Sequence, residues 1–307
     1  KSRTGAMVTV LADDMLTGIE EPVFVAPGCE YSDGSGFEGH EFFEAPSIRK
    51  VDQTYYLIYS SIVMHELCYA ISDSPTKKFT YGGVVISNCD LHIDSYKPAE
   101  QPMLYGANNH GSIEKIKGEW YIFYHRHTNG TWFSRQGCAE KISITKDHEI
   151  KQVEMTSCGL NGGALKGTGY YPAYIACNLF NEVPAVYVGN DPDPVYGEGH
   201  FPKIMQDGCD GTKVDGYVGN MRNHATAGYK YFSFSGIRKM KLKTRGYAKG
   251  EFEVRTSWDG EVVGKIPVDF SNFWAESEAQ VQIPDGISAL YLTFNGSGNV
   301  SLSGFEF

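Results

Sequence analysis

The residues best placed to do chemistry lie in one short segment, Gly39–Lys50, which a strongly β-patterned run, Thr54–Ser60, follows at once. Glu44 stands there between aromatic residues and a proline, and the Tyr, Leu and Ile residues of the run suit a half-buried pleated surface. A carboxylate held at the mouth of a sheet against apolar neighbours is disfavoured in its charged form, which raises its pKa as a general acid requires. The pattern predicts that Glu44 is a general acid; the alternative is a surface glutamate in a loop.

A second polar segment, Asn108–Glu114, carries His110 and also precedes an aromatic run. A neutral imidazole suits a metal ion or a water molecule. One histidine with no neighbouring carboxylate cluster cannot hold calcium by itself, because calcium takes several oxygen ligands. Waters would have to complete such a site. The alternative is a histidine that is hydrogen-bonded inside a packed turn.

Together these segments resemble glycoside hydrolase family 43. Glu44-Ala45-Pro46 with Lys50 and Tyr55-Tyr56-Leu57 is similar to the general-acid segment of that family. The segment His110-Gly111-Ser112 is similar to one whose histidine points into the central cavity of the family's fold, beside a calcium ion or an ordered water. The segment Phe133–Gln136 matches a place where the family often has an active-site arginine, here Arg135. The resemblance covers roughly residues 1 to 180.

The resemblance implies a five-bladed β-propeller and an inverting hydrolase in which Glu44 is the general acid. The family places a catalytic base and a pKa-modulating aspartate well upstream of the acid, and only 44 − 1 = 43 residues precede Glu44. We expect this chain to hold the later blades, and the two other acids to lie in an N-terminal part of the same enzyme, which could be a separate chain. The chain alone is then expected to be inactive.

Other acidic residues near Glu44 are expected to do other work. Asp13 and Asp14 are interpreted as turn residues, since aspartate in a turn accepts local backbone hydrogen bonds. Glu41 lacks the proline and strand that follow Glu44. Glu38, together with His40, is expected to line the substrate pocket.

Basic residues are expected at the same pocket. His125 and His127 share one face of a strand, so a metal pair is not excluded, but we expect them to line the pocket beside Arg135. Arg135 is expected to orient the missing base through a charge-assisted hydrogen bond. Its alternative is an ordinary surface arginine.

The elements that would position these residues repeat along the chain. The run from Tyr55 and the run from Trp120 are similar in pattern, and the offset is 120 − 55 = 65 residues. Each unit continues into further strands, predicted at Gly82–Ser87 and Ile150–Met155. A period of about 50 residues or more with several strands predicts propeller blades; the alternative is one antiparallel sandwich with two similar hairpins.

The pattern changes between Asn178 and Phe201, where the turn-rich stretch 191–200 is predicted to be a linker or an interdomain loop. We predict a propeller domain at residues 1–190 and a β-sandwich at residues 200–307, so the whole chain is all-β. Short alternating strands support the sandwich, and they are predicted at Tyr229–Phe234, Arg238–Thr244, Gly250–Thr256, Ala279–Ile283, Ala289–Phe294 and Val300–Phe307.

This second domain resembles a family 6-type carbohydrate-binding jelly roll. Where that family often has a ligand-binding asparagine in the closing strand, this chain has Ser301. Trp274 and Tyr217 lie in loop-like context and are candidates to stack on a sugar ring, with buried packing as the alternative.

Composition limits the partners. The net charge of −10 argues against nucleic acid, which needs a basic surface, and is compatible with neutral sugars. No apolar run approaches a membrane span. The seven cysteines are odd in number and lack zinc-type spacing, which favours free thiols in a reducing compartment such as the cytoplasm; a secreted protein with a disulfide is the alternative.

The sequence therefore predicts a glycoside hydrolase that acts on α-L-arabinofuranosyl or β-D-xylosyl linkages of plant polysaccharides or oligosaccharides. The alternative is a non-catalytic sugar-binding protein made of a propeller remnant and a carbohydrate-binding module.

Overall fold

A computed structural model describes residues 3–104, 109–129, 131, 133–181, 201–208 and 216–307. Its regular structure consists of β-strands and two 3₁₀ helices, Gly159–Asn161 and Ala173–Ile175, which confirms the all-β prediction for the described residues. No helix in this part of the chain is long and apolar enough to cross a membrane. The described residues divide into two compact units, one formed by 3–88, 109–125 and 137–154 and the other by 89–104, 126–136 and 155–307.

The first group of strands is β1 (Gly5–Val8), β2 (Val23–Pro27), β3 (Phe42–Val51), β4 (Thr54–Ser61), β5 (Glu66–Ser72), β6 (Thr80–Ser87), β7 (Ser112–Ile116), β8 (Glu119–His127) and β9 (Arg135–Ile142). They form a two-stranded sheet β1-β2, a four-stranded meander β3-β4-β5-β6 and a three-stranded meander β7-β8-β9. The 65-residue repeat is visible in space, since Ser47 Oγ of β3 donates to Ser112 Oγ of β7 at 2.9 Å, between positions 65 apart.

The core of the first unit follows from strand alternation. Leu57 and Tyr59 of β4 and Cys68 and Ala70 of β5 are almost fully buried, and residues two apart point to one face of a sheet. The strand expected at Ile150–Met155 is replaced by isolated bridges from Ile150 and Val153, so the second repeat has three strands where the first has four.

The remaining strands are β10 (Leu165–Lys166), β11 (Tyr170–Pro172), β12 (Asn178–Phe180), β13 (Lys203–Gln206), β14 (Gly216–Met221), β15 (Thr226–Phe234), β16 (Lys239–Arg255), β17 (Gly264–Val268), β18 (Ser271–Gln280) and β19 (Gly286–Glu306). They belong to one ten-stranded sheet system in which β19 pairs with β11, β14, β15 and β16.

Two observed strands are longer than predicted. Strand β16 joins the strands predicted at 238–244 and 250–256, and β19 joins those predicted at 289–294 and 300–307. The sequence analysis separated them at glycine-containing stretches. The structure instead places these glycines where β16 and β19 cross closely. A Cβ on Gly298 would lie 1.9 Å from the Tyr247 carbonyl oxygen, and one on Gly246 would lie 2.3 Å from the Asn299 carbonyl oxygen. The glycines therefore permit close pairing as well as turns.

The second unit begins earlier in the chain than the boundary predicted at residues 190–200. Strand β11 pairs with β19, for example Tyr170 with Glu306, which is more than a hundred residues later in the chain. Strand β12 pairs with β15, for example Asn178 with Gly228, about fifty residues later. Local sequence patterns cannot reveal such long-range pairing. The predicted linker, 191–200, lies outside the described residues, and the closed five-bladed ring and the jelly roll stay predictions.

A fully buried ion pair lies inside the second unit. Lys230 Nζ is 3.2 Å from Asp90 Oδ2, and both side chains have no exposed surface. Asp90 also accepts hydrogen bonds from the Tyr96 hydroxyl at 2.6 Å and the Met155 amide at 2.7 Å. The Lys230 ammonium lies 3.4 Å from the centre of the Tyr96 ring. These contacts hold the segment around Asp90 to β15, because a buried charge is tolerated only when its hydrogen bonds are satisfied.

Candidate functional site

Glu44 lies within strand β3, where the strand is irregular. Between Phe42 and Glu44, β3 advances two residues while β4 advances one, from Ser61 to Ser60. Between Glu44 and Ser47 it advances three residues while β4 advances two. Two bulges therefore flank Glu44, and bulges redirect side chains next to active sites. The sequence analysis placed Glu44 before the strand, and the structure places it on the strand.

The proline and the backbone beside Glu44 fit this local geometry. Pro46 has no N–H to donate and lies at a bulge of β3, which is an edge strand of the four-stranded meander. Ala45 has φ of 61°, a conformation that is uncommon for residues other than glycine and is concentrated at functional sites. The Glu44 side chain is half-buried and forms no hydrogen bond or ion pair with any other described residue. Its carboxyl group is thus available to a ligand.

The second polar segment, Asn108–Glu114, contacts β4 through Asn109, and β4 is the strand that pairs with the strand of Glu44, β3. Ser60, the register partner of Glu44, donates a hydrogen bond from its buried Oγ to Asn109 Oδ1 at 3.0 Å. A Cβ on Gly111 would lie 2.0 Å from the Phe123 carbonyl oxygen, so only glycine permits this approach. The structure therefore brings the two segments singled out in the sequence together on neighbouring strands of the first unit.

Asn109 has a buried donor at this place. The residue is 1% exposed, and within the described residues its Nδ2 has no hydrogen-bond partner. An unsatisfied buried amide is costly, and an N–H group suits an oxygen acceptor. This is the polarity expected beside a hydroxylated ligand or a water.

His110 follows Asn109 and is exposed. The fit of calcium here is poor: in the described part of the chain, the only grouping of metal-ligand side chains is His40, Glu66 and Cys68, which does not include His110. The unpaired group next to His110 is a donor and cannot bind a cation. Because calcium needs several oxygen ligands, these residues do not form a calcium site by themselves.

His40 pairs with a glutamate that the sequence analysis did not single out. His40 Nδ1 lies 2.6 Å from Glu66 Oε1, and Ser61 Oγ donates to the same oxygen at 2.6 Å. The His40 ring stacks on Tyr81 with centroids 5.2 Å apart. The contact observed for His40 is therefore with a buried carboxylate. The contact with substrate that we expected from the sequence stays a prediction.

This pair shifts the pKa values of both groups. The hydrogen bond to Glu66 raises the pKa of His40 above its usual 6.5, although burial opposes it. Burial acts to raise the pKa of Glu66, but hydrogen bonds from His40 and Ser61 outweigh burial and leave this pKa below its usual value. Burial raises the pKa of the neighbouring Cys68 thiol well above its ordinary range. We therefore interpret the three residues as a hydrogen-bonded cluster with a protonated thiol.

The other predicted residues of the first domain have more ordinary surroundings. Glu38 is exposed and accepts a hydrogen bond from the Ser35 amide at 3.0 Å, which is a turn contact. Asp14 accepts two backbone hydrogen bonds, from Leu16 and Thr17, which confirms its interpretation as a turn residue. The backbone oxygen of the half-buried His125 accepts from Asn88 Nδ2 at 3.1 Å. Pocket roles for Glu38 and His125 stay predictions.

Arg135, at the start of β9, is exposed. Its expected role toward a base carboxylate stays a prediction. The six cysteines in the described residues form no disulfide, and Cys209 lies outside these residues.

The second unit carries a groove of about 480 Å³ on strands β13, β14, β16, β18 and β19. Its lining includes side chains that can bind sugar hydroxyls or stack on a sugar ring, namely Asn220, Asn272, Asn299, Ser301, Tyr217 and Tyr247. Tyr247 is 76% exposed and contacts Phe270, with ring centroids 4.8 Å apart. Ser301, noted in the sequence, is in the groove, and Tyr247 is an exposed aromatic residue that the sequence analysis missed.

Trp274 and Tyr217, the predicted stacking residues, contact each other and a guanidinium group. Their ring centroids are 5.4 Å apart at 65°. Arg245 Cζ lies 4.3 Å from the Trp274 ring centre and 5.1 Å from the Tyr217 ring centre. Arg245 also donates to both carboxylate oxygens of Asp207, at 2.7 and 3.0 Å, and these bonds lower the pKa of Asp207.

No family model matches the chain. A protein of Thermoclostridium stercorarium named xylosidase/arabinosidase is 65% identical over 305 residues, which cover 99% of this chain and 64% of that protein. The chain thus spans less than two thirds of the length of this relative.

Two solved structures are similar as well. A glycoside hydrolase family 43 arabinoxylan arabinofuranohydrolase from Bacillus subtilis, in complex with cellotetraose, is 21% identical with a TM-score of 0.46, covering 98% of this chain and 58% of that one. A family 6 carbohydrate-binding module from Clostridium cellulolyticum, in complex with xylose, is 19% identical with a TM-score of 0.36, covering 46% of this chain and 98% of that one. With TM-scores this low, these two structures carry no argument about function. Over nearly its whole length, the chain is similar to a protein named xylosidase/arabinosidase.

Proposed function

We propose that the chain is part of a glycoside hydrolase that acts on β-D-xylosyl or α-L-arabinofuranosyl linkages, with Glu44 as its general acid. The sequence relative named xylosidase/arabinosidase supports the reaction class. The observation that carries the residue assignment is the position of Glu44, half-buried between two bulges and without a partner among the described residues.

In the proposed reaction Glu44 protonates the oxygen of the leaving group as the glycosidic bond breaks. A second carboxylate removes a proton from a water that attacks the anomeric carbon from the opposite face of the sugar, and the two carboxyl groups of an inverting enzyme are about 6.5–9.5 Å apart. We assign no residue of this chain as that base. Because the proposed reaction needs that second carboxylate, this chain alone is proposed to be inactive.

Asn109 is proposed to support the acid. Its buried Nδ2 can donate to a sugar hydroxyl or to a water at the site, while its Oδ1 is held by Ser60. Because Ser60 is also the register partner of Glu44, this hydrogen bond fixes the second polar segment relative to the strand that bears the acid.

The test follows hydrolysis of an aryl β-xyloside and an aryl α-L-arabinofuranoside by the complete gene product, with the anomeric configuration of the first-formed sugar read by NMR. We expect inversion, and loss of activity on natural oligosaccharides in Glu44→Gln. Glu21→Gln is the matched control, because Glu21 is an exposed glutamate of the first unit for which no role at the pocket is predicted. Full activity of Glu44→Gln on an oligosaccharide would refute the assignment.

The groove of the second unit favours a second candidate function, sugar binding. Amide side chains, a hydroxyl and an exposed aromatic ring are the groups that recognise neutral sugars. Titration calorimetry with xylo-, arabino- and cello-oligosaccharides tests this function separately from hydrolysis. Heat of binding that disappears in Tyr247→Ala supports it, and absence of binding to all three sugars contradicts it.

A further inference from the structure

A side chain of the protein already covers two aromatic rings at the groove, namely Tyr217, which lines the groove, and Trp274, which contacts Tyr217. Arg245 lies over both Trp274 and Tyr217, within the roughly 6 Å at which a cation and a ring attract each other. The two rings are also too close and too steeply inclined, at 5.4 Å and 65°, for a sugar ring to enter between them. A sugar that stacked on the Trp274 face would have to take the place of the guanidinium.

Arg245 is held in this place by a second interaction. Its guanidinium makes a bidentate, charge-assisted contact with Asp207, which fixes a planar group in orientation as well as position. The Arg245 side chain is 27% exposed and that of Asp207 is 49% exposed, so solvent reaches the pair. Displacement of Arg245 therefore breaks two directed hydrogen bonds and two ring contacts together.

Another aromatic surface in the same groove remains open. Tyr247, two residues from Arg245 on β16, is 76% exposed, and Phe270 beside it is 57% exposed. Asn272, Asn299 and Ser301 line the groove with it. One aromatic surface at the groove, Tyr217 with its neighbour Trp274, is thus covered by a cation, whereas Tyr247 faces solvent.

We propose that Arg245 determines ligand selection in this groove: it withholds Trp274 and Tyr217 from stacking, so that an uncharged pentose or hexose oligosaccharide binds through Tyr247 and the neighbouring amides. This inference rests on the proposed sugar-binding function of the groove. It predicts weak binding by the native chain and a latent, stronger site that opens when Arg245 is removed.

The experiment is calorimetric titration of the full 307-residue chain with xylotetraose and cellotetraose. Native protein is compared with Arg245→Ala, Asp207→Asn, Tyr247→Ala, Trp274→Ala and the double variant Arg245→Ala/Trp274→Ala. Lys249→Ala is the control for charge, since Lys249 is an exposed cation of the same strand. Circular dichroism checks that each variant folds.

We expect Arg245→Ala to bind about tenfold more tightly than the native chain, because a large ring face becomes free to stack. The gain should vanish in the double variant, and Trp274→Ala alone should change native binding by less than about twofold. Asp207→Asn, which loosens Arg245 without removing it, should give a smaller gain and serves if Arg245→Ala does not fold. Tyr247→Ala should abolish native binding.

The opposite results overturn the proposal. Unchanged or weaker binding by Arg245→Ala and Asp207→Asn would show that Arg245 does not withhold the rings. A large loss in Trp274→Ala alone would show that Trp274 already stacks on the ligand. Absence of binding in the native chain and in every variant would refute both this inference and the sugar-binding function, while leaving the hydrolase proposal to its own test.

Discussion

The two units of the molecule differ in the burial and the pairing of their charged side chains. In the first unit, Glu44 is half-buried without a partner among the described residues, and the buried carboxylate of Glu66 pairs with the partly exposed His40. In the second unit, Asp90 and Lys230 are sealed together in the interior, and Arg245 and Asp207 are paired in the groove. This contrast fits the roles proposed for the two units, proton transfer in the first and ligand binding in the second.

The largest effect should come from breaking the sealed pair of the second unit. Lys230→Met leaves Asp90 buried without its cation, which costs about 3–5 kcal/mol of unfolding free energy. Urea unfolding measures the loss, and faster hydrogen exchange of the Met155 amide, which donates to Asp90, locates it.

The matched control for this change is Lys239→Met, because Lys239 forms an exposed pair with Glu278. Exposed pairs add little to stability, so no measurable change is expected. An equal loss in both variants would contradict the special role of burial.

A smaller effect is expected from crowding the first unit at the segment next to Glu44. Gly111→Ala places a methyl group against the Phe123 carbonyl and the Leu67 side chain, which should lower the unfolding free energy by about 1–3 kcal/mol. Gly137→Ala is the control, since a Cβ there meets nothing within 4 Å. Sugar binding by the groove should be unchanged in Gly111→Ala, and a parallel loss of binding would mean that the two units are not separate in function.

The smallest expected effect is a pH dependence of the first unit. The pKa of His40 is raised in the folded state, so its contribution is complete below about 6.5 and is lost as the pH rises through the raised value. The pKa of Glu66 is lowered, so its contribution is present above about 4.5 and is lost as the pH falls through the lowered value. The His40–Glu66 pair therefore stabilises the folded state most between about pH 4.5 and about pH 6.5.

The measurement is the thermal midpoint as a function of pH for the native chain and for His40→Gln. Near pH 6 the unfolding free energy of the variant should be about 1 kcal/mol lower than that of the native chain, and its thermal midpoint should be lower accordingly. In alkaline solution the two proteins should differ little. His92→Gln is the control, because His92 pairs with an exposed glutamate, Glu100. A loss in His40→Gln that is the same at every pH would disprove the ionic character of the pair.

Local sequence patterns revealed some features of this molecule and missed others for a physical reason. Alternation of apolar and polar residues, together with turn residues, predicted the all-β class and the 65-residue repeat, and it marked the segments of Glu44 and His110. These patterns extend over only a few positions each. The partners that set their environment are distant in the chain: His40 and Glu66 are 26 residues apart, Arg245 and Asp207 are 38 apart, and Lys230 and Asp90 are 140 apart. Such pairs depend on which strands meet, and strand pairing across long loops leaves no local signal.

The central claim is that Glu44 donates the proton to the leaving group, and its most direct test is the dependence of Glu44→Gln on leaving-group acidity. The complete gene product and this variant are compared on 2,4-dinitrophenyl and on alkyl or oligosaccharide xylosides and arabinofuranosides. An activated aryl group departs without a proton, so its kcat/KM should fall little, whereas the kcat/KM for poor leaving groups should fall by about 10²–10⁴. Equal losses for good and poor leaving groups would contradict the assignment of Glu44 as the general acid.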